Sequence, residues 1–158
     1  MKTVSPKHEQ NNIEIARATS QDVPTMYKWG RANWELWGNE KDGWYTKKSL
    51  ELWVTHPRYD VLLIARKGKK RIGMCTTHTL HDWAICDGLF VHPDFRGFGI
   101  GKQLLDATIT ILKNRGISDL SLLAELDNKK AIHFYKKLGF SRGYKFLWMN
   151  KKITGKNK

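Results

Sequence analysis

Cysteine is scarce in this chain: Cys75 and Cys86 are the only two in 158 residues. Two cysteines build no disulfide framework and suit a reducing compartment. No apolar run approaches the roughly 20 residues that a membrane-crossing helix needs; the longest is "VLLIA", residues 61–65. The start, "MKTVSPKHEQNN", lacks the apolar stretch of a secretory signal, so the expected location is cytoplasmic. Internal repeats, low-complexity blocks and internal linkers are absent too. Acidic residues are few: 15 Asp+Glu stand against 28 Lys+Arg, a formal net charge of +13 at pH 7. That balance favours an anionic partner, whether nucleic acid, an acidic surface or a polyphosphate ligand. Part of the excess sits in ends that read as solvated tails, residues 1–12 and 152–158. Residues 13–151 between them are expected to form one domain.

What is present is a regular alternation of strand and helix patterns. "IEIARAT" (13–19) reads as a strand, and "SQDVPTMYKWGRANW" (20–34) opens with capping residues before a helix. Residues 29–53 carry Trp29, Trp34, Trp37, Trp44, Trp53 and Tyr45 in weakly helical surroundings. "DVLLIARK" (60–67), "RIGMCTTHTL" (71–80) and "WAICDGLFVH" (83–92) read as three strands. "KQLLDATITILKNR" (102–115) places Leu104, Leu105, Thr108, Ile111 and Leu112 on one helical face, with Gly116 as its stop. A strand at 118–125, a helix at 127–138 and a last strand, "KFLWMNK" (145–151), follow. A meander of strands followed by β-α-β-α-β predicts a mixed α/β sheet with helices on its faces.

Between the third strand of the meander and the next helix lies "FRGFGIGKQLL" (95–105). Glycines at alternate positions, Gly97, Gly99 and Gly101, let a backbone come close to something bulky such as a phosphate. A P-loop requires G-x-x-x-x-G-K-[ST], but here Arg96 takes the leading position and Gln103 replaces Ser/Thr. A dinucleotide fingerprint requires G-x-G-x-x-G, and the third glycine comes one residue early. The pattern R/Q-x-x-G-x-G/A is met in full by Arg96-Gly97-Phe98-Gly99-Ile100-Gly101. Before it stands "LFVHPDF", and downstream comes "NKKAIHFYKKLGF" (128–140).

With these segments in this order, the chain resembles the GCN5-related N-acetyltransferase family from about Val61 to Trp148. The resemblance implies a mixed, mostly antiparallel central sheet of six to seven strands flanked by about four helices. It implies acetyl-coenzyme A as cosubstrate, without a metal, and an amine as acceptor. The amides of Arg96, Gly97, Phe98, Gly99, Ile100 and Gly101 would cradle the coenzyme pyrophosphate, helped by the positive end of the following helix. Phe90 and Val91 would pair their backbone with the pantetheine arm, and an N–H there could hold the oxyanion. Asn128 would lie against the same arm, and Tyr135 near the thioester sulfur, as general acid. An ordinary tyrosine, with a pKa near 10, is protonated at neutral pH. Dimers are common in that family, and nothing in this sequence fixes the oligomeric state.

An ammonium acceptor must lose a proton before it attacks. Asp87 is the preferred base, acting directly or through water, with Glu125 in reserve. In a period-two strand Asp87 shares a face with Ile85, Leu89 and Val91, where a carboxylate is costly unless used or paired. Gly88 could mark a bulge that opens the strand for the coenzyme. Three other features have blander explanations beside their functional ones. Cys75, His78, His81 and Cys86 are zinc-ligand types, but residues three apart on a strand point to opposite faces. The tryptophans could line an acceptor site or simply pack helices on the sheet. The basic turn "RKGKKR" (66–71) suits a solvated hairpin tip, and no nucleic-acid-binding motif accompanies it. A non-catalytic coenzyme-binding regulator is the remaining alternative, which Tyr135 argues against.

Overall fold

A computed structural model describes residues 12–33, 45–145, 147 and 149. The chain divides into two compact units, Met1–Glu125 and Leu126–Lys158. In the first, β1 (Ile13–Arg17), β2 (Val61–Lys67), β3 (Lys70–Leu80), β4 (Trp83–Val91) and β5 (Asp119–Leu122) form one sheet in the order β1-β2-β3-β4-β5. Pairing is antiparallel from β1 to β4, and β5 runs parallel to β4. Val61 to Ala65 of β2 are all buried, which explains why this strand reads as an unbroken apolar run instead of an alternating one.

Helices cover both faces. On one, α1 (Val23–Ala32) and α2 (Lys47–Thr55) bury Met26, Trp29 and Leu50 against Leu62, Ile64 and Met74. On the other lies α3 (Ile100–Lys113), whose buried stripe is Ile100, Leu104, Leu105, Thr108 and Leu112. Gly73 lets α3 approach the sheet: a Cβ there would lie 2.9 Å from the Phe90 carbonyl and 3.2 Å from Leu104 Cδ1. Asp22, fully buried at the entrance to α1, accepts from Arg66 and Arg71 at 2.6 Å each and from the Thr19 N–H at 2.8 Å. Burial alone would raise its pKa, but these hydrogen bonds outweigh it and hold the carboxyl below the usual range.

The mixed α/β architecture and the four helices match the sequence expectation; the strand count does not. Among the described residues the sheet has five strands, where six to seven were expected. Residues 145, 147 and 149 of the expected last strand are not in a ladder, and the rest of 145–151, except the described positions, lies outside the described residues. Strand β5 is also shorter than expected, ending at Leu122 and leaving Glu125 beyond the ladder and exposed. No helix among the described residues is long and apolar enough to cross a membrane. In the second unit, α4 (Lys129–Lys137) starts where the Asn128 side chain accepts from the Ala131 N–H at 3.0 Å.

Candidate active site

The glycine loop lies between a single 3-10 turn, Pro93–Phe95, and α3. Gly97 and Gly99 have φ of +84° and +75°, the left-handed region that other residues enter only with strain. A Cβ on either would meet nothing within 4 Å, so the loop presents an open side here. Gly99 caps α3, whose first N–H groups, from Ile100 onward, have no partner within the helix. Arg96 is tied back: its Nε donates to the Val91 carbonyl at 3.0 Å and its N–H to the Pro93 carbonyl at 3.1 Å. Ile100 is buried, while Phe98 is exposed. A curved backbone, an open glycine surface and a helix N-terminus together form a cradle suited to a phosphate.

Beside the loop, β4 has a break in its register. Thr76 of β3 lies opposite Gly88, but Thr77 lies opposite Cys86. Asp87 is thus the extra residue of a β-bulge, next to the glycine at which the sequence suggested one. The bulge corrects the simple alternation. Leu89 pairs with Cys75, which contacts Thr108 of α3, whereas Phe90 pairs with Met74 and its ring lies 4.8 Å from that of Trp29 in α1. Asp87 faces the α1/α2 side and no longer shares a face with Leu89 and Val91. The β4–β5 ladder stops at Cys86–Leu122. From Asp87 to Val91, that edge of β4 therefore has no strand partner among the described residues.

Around Asp87 the structure gathers side chains far apart in sequence. Tyr45, just before α2, donates its hydroxyl to Asp87 Oδ2 at 2.8 Å and lies 2.8 Å from His78 Nε2. His78 Nε2 is 3.6 Å from Asp87 Oδ2, and its Nδ1 is 3.0 Å from Asp60 Oδ2. Asp60 also accepts from Trp53 Nε1 at 2.8 Å and from the Thr79 N–H at 2.8 Å. The Trp53 ring stacks on His78, with centroids 4.3 Å apart and planes 9° apart. Asp87, foremost, and then Asp60 outweigh partial burial and raise the His78 pKa. Burial, then the charge and hydrogen bond of Asp87 and the charge of Asp60, push the Tyr45 phenol well above its usual value. Asp87 Oδ1 and Thr76 Oγ1 are buried without a hydrogen-bond partner among the described residues.

Tyr45, Asp60 and His78 were not singled out for this site by the sequence. They lie 42, 27 and 9 positions from Asp87, and local spacing cannot report such an encounter. The one available sign was His78 on the same face of β3 as Met74 and Thr76. The four residues of zinc-ligand type divide as the strand geometry requires. Cys75 and Cys86 meet on the α3 face with Sγ atoms 3.7 Å apart, His78 faces Tyr45, and His81 lies in the β3–β4 turn. The tryptophans divide as well: Trp29 is core, Trp53 walls the cluster, and Trp34, Trp37 and Trp44 lie outside the described residues. In the basic turn, Arg66 and Arg71 are bound to Asp22, which leaves the lysines as its exposed charge. Tyr135, in the second unit, packs edge-on against Phe134 and Phe140, with centroids 5.2 and 5.8 Å away.

Residues 23–140 match the acetyltransferase (GNAT) family. An uncharacterized N-acetyltransferase of Methanocaldococcus jannaschii is 50% identical over 52 residues, 33% of this chain and 23% of that protein. N-alpha-acetyltransferase 30 of Schizosaccharomyces pombe is 42% identical over 60 residues, 38% of this chain and 39% of that protein. The chain thus spans less than half the length of either curated relative. Among solved structures, the PaiA N-acetyltransferase of Thermoplasma acidophilum in complex with coenzyme A is similar with a TM-score of 0.69. Its identity is 26%, over 82% of this chain and 89% of that one.

Proposed function

The chain belongs to the acetyltransferase (GNAT) family, and on that premise we propose that it transfers the acetyl group of acetyl-coenzyme A to a primary amine. The single observation that carries this reading is the cradle at Gly97 and Gly99, open on one side and ending on the N-terminus of α3. The β4 edge from Asp87 to Val91, without a strand partner among the described residues, supports the same reading.

The residues divide the work as follows. Amides of Gly97 to Gly101 hold the pyrophosphate, whose charge the α3 dipole favours, while the Arg96 N–H, expected among them, is already donated to the Pro93 carbonyl. The backbone of Phe90 and Val91 holds the pantetheine arm as a short extra strand, and an N–H of that edge donates to the acetyl oxygen. Asn128 contacts the arm. Acetyl-coenzyme A supplies the activated thioester; the protein supplies position and proton transfer. Asp87, directly or through one water, takes a proton from the acceptor nitrogen, and its Oδ1, without a hydrogen-bond partner among the described residues, is the acceptor position suited to it. Tyr135 returns a proton to the departing sulfur. Neither buried cysteine has the basic or helix-terminal setting of a nucleophile, so the transfer is direct, in a ternary complex. A reducing, cytoplasmic setting fits two free thiols 3.7 Å apart.

The test is a thiol-release assay with acetyl-coenzyme A and a panel of primary amines: small-molecule amines, lysine side chains and peptide N-termini. Amine-dependent release with an acetylated product is expected. Binding of the coenzyme without release for any amine would replace this reading with that of a coenzyme-binding regulator.

A further inference from the structure

Acetylating an ammonium group releases one net proton, and a base at Asp87 leaves that proton on a carboxyl whose side chain is only 16% exposed. It needs a way out. Three heavy atoms lie in sequence at hydrogen-bond distance: Asp87 Oδ2, Tyr45 Oη at 2.8 Å, and His78 Nε2 a further 2.8 Å on. The opposite ring nitrogen, Nδ1, lies 3.0 Å from Asp60 Oδ2, and the His78 side chain is 34% exposed. We propose, resting on the acetyl-transfer reading, that Tyr45 and His78, oriented by Asp60, form the side-chain relay that carries the acceptor's proton from Asp87 to solvent.

Hydrogen counting supports the direction of transfer. With both carboxylates ionised, Tyr45 gives its one hydrogen to Asp87. Both His78 nitrogens then face acceptors, Tyr45 Oη and Asp60 Oδ2. A neutral imidazole that donates its Nδ1–H to Asp60 leaves Nε2 unfilled and open to a proton from Tyr45, and the imidazolium formed by that transfer fills both contacts. When an acceptor N–H bond breaks and an O–H bond forms on Asp87, a half-turn about Cβ–Cγ presents that hydrogen to Tyr45. Tyr45 takes it and passes its own hydrogen to Nε2, so that Asp87 is ionised again and the charge resides on His78. The imidazolium then gives one proton to water at its exposed edge. Among the described residues the ionisable groups facing His78 are Asp60 from the turn before β2, Asp87 from β4 and Tyr45 from the segment before α2. Trp53 of α2 covers one ring face and fixes Asp60 through its indole N–H. His78 and Asp60 act through Asp87, as positioning and relay residues, without needing to touch the acceptor.

The experiment measures kcat against pH for the full chain and for His78→Phe, which retains a ring against Trp53 but has no nitrogen. The relay predicts a kcat loss on the order of 100-fold with the acetyl-coenzyme A KM unchanged. It also predicts loss of the wild-type acidic limb, where His78 is already protonated, and recovery of rate with added imidazole. Asp60→Asn should move that limb to lower pH. Independently of turnover, NMR titration of wild-type His78 should give a pKa above its ordinary 6.5 that falls in Asp87→Asn. A wild-type value at or below 6.5 overturns the relay. So does a His78→Phe profile identical to wild type without an imidazole response, while wild-type turnover keeps the acetyl-transfer reading. A wild-type protein that neither binds acetyl-coenzyme A nor releases thiol with any primary amine overturns both.

Discussion

Replacing Gly99 separates its part in folding from its part in binding. The residue sits at φ +75° and ψ +8°, and a Cβ there meets nothing within 4 Å. Gly99→Ala therefore has no steric clash inside the protein, only the backbone cost of a left-handed alanine, about 1–2 kcal/mol. In a domain of this size that lowers Tm by about 2–8 °C. Gly116, at φ +77° beyond the C-terminus of α3 and with the same open surroundings, provides a matched control. Gly116→Ala should lose as much stability and bind acetyl-coenzyme A as wild type does. Gly99→Asn completes the set, because asparagine tolerates the left-handed region and keeps most of the stability. Its side chain nonetheless projects into the open side of the cradle. Coenzyme affinity in Gly99→Asn should fall at least about tenfold, equivalent to about 1.4 kcal/mol. Thermal denaturation and calorimetric titration of the three variants decide the matter. A Gly99→Asn protein with wild-type affinity would refute the cradle, whatever happened to its stability.

Asp22→Asn leaves Arg66 and Arg71 facing an amide where they had a buried carboxylate. Because both guanidinium groups are partly exposed, the loss in urea denaturation should lie near the lower end of buried-pair values, about 3 kcal/mol; a loss below about 1 kcal/mol would show that the knot is incidental. The depressed Asp22 pKa makes its stabilisation present above the ordinary 3.8 and lost as pH falls through the lower folded value. His78 has the opposite sign. Its raised pKa gives stabilisation that is full below 6.5 and lost as pH rises through the folded value, so the urea-midpoint advantage of wild type over His78→Phe should shrink toward alkaline pH. Tyr135→Phe should lower turnover while coenzyme affinity stays nearly intact, and an unchanged rate would remove the acid role. Asp87→Asn should slow acetyl transfer and alter its pH–rate profile; an unaltered profile would move the base to Glu125 or water.

The parts of this account that were legible in the sequence are those written in local pattern. The apolar run 61–65, the helical stripe of α3 and the alternating glycines at 97–101 each reflect a geometry fixed by neighbours a few residues away. Asp87 was legible as an anomaly, a carboxylate in an apolar strand. Its true facing was not, because a bulge shifts every later side chain of β4 to the other face and period two contains no mark of the shift. Tyr45, Asp60 and His78 were illegible for a different reason: their meeting depends on how α2 lies over β3 and β4. The split among the tryptophans has the same cause. Trp29 and Trp53 are alike in sequence, and only packing makes one of them core and the other a wall of the Asp60–His78 pair.

The central claim is that the glycine loop is a coenzyme site, and calorimetric titration of the whole chain with acetyl-coenzyme A tests it most directly. The titration belongs at near-physiological salt, with ATP as a control polyanion. Selective micromolar binding of acetyl-coenzyme A, little changed by salt, is the predicted result. Equal binding of both ligands, weakening together as salt rises, would contradict it and reduce the loop to one part of a generally basic surface.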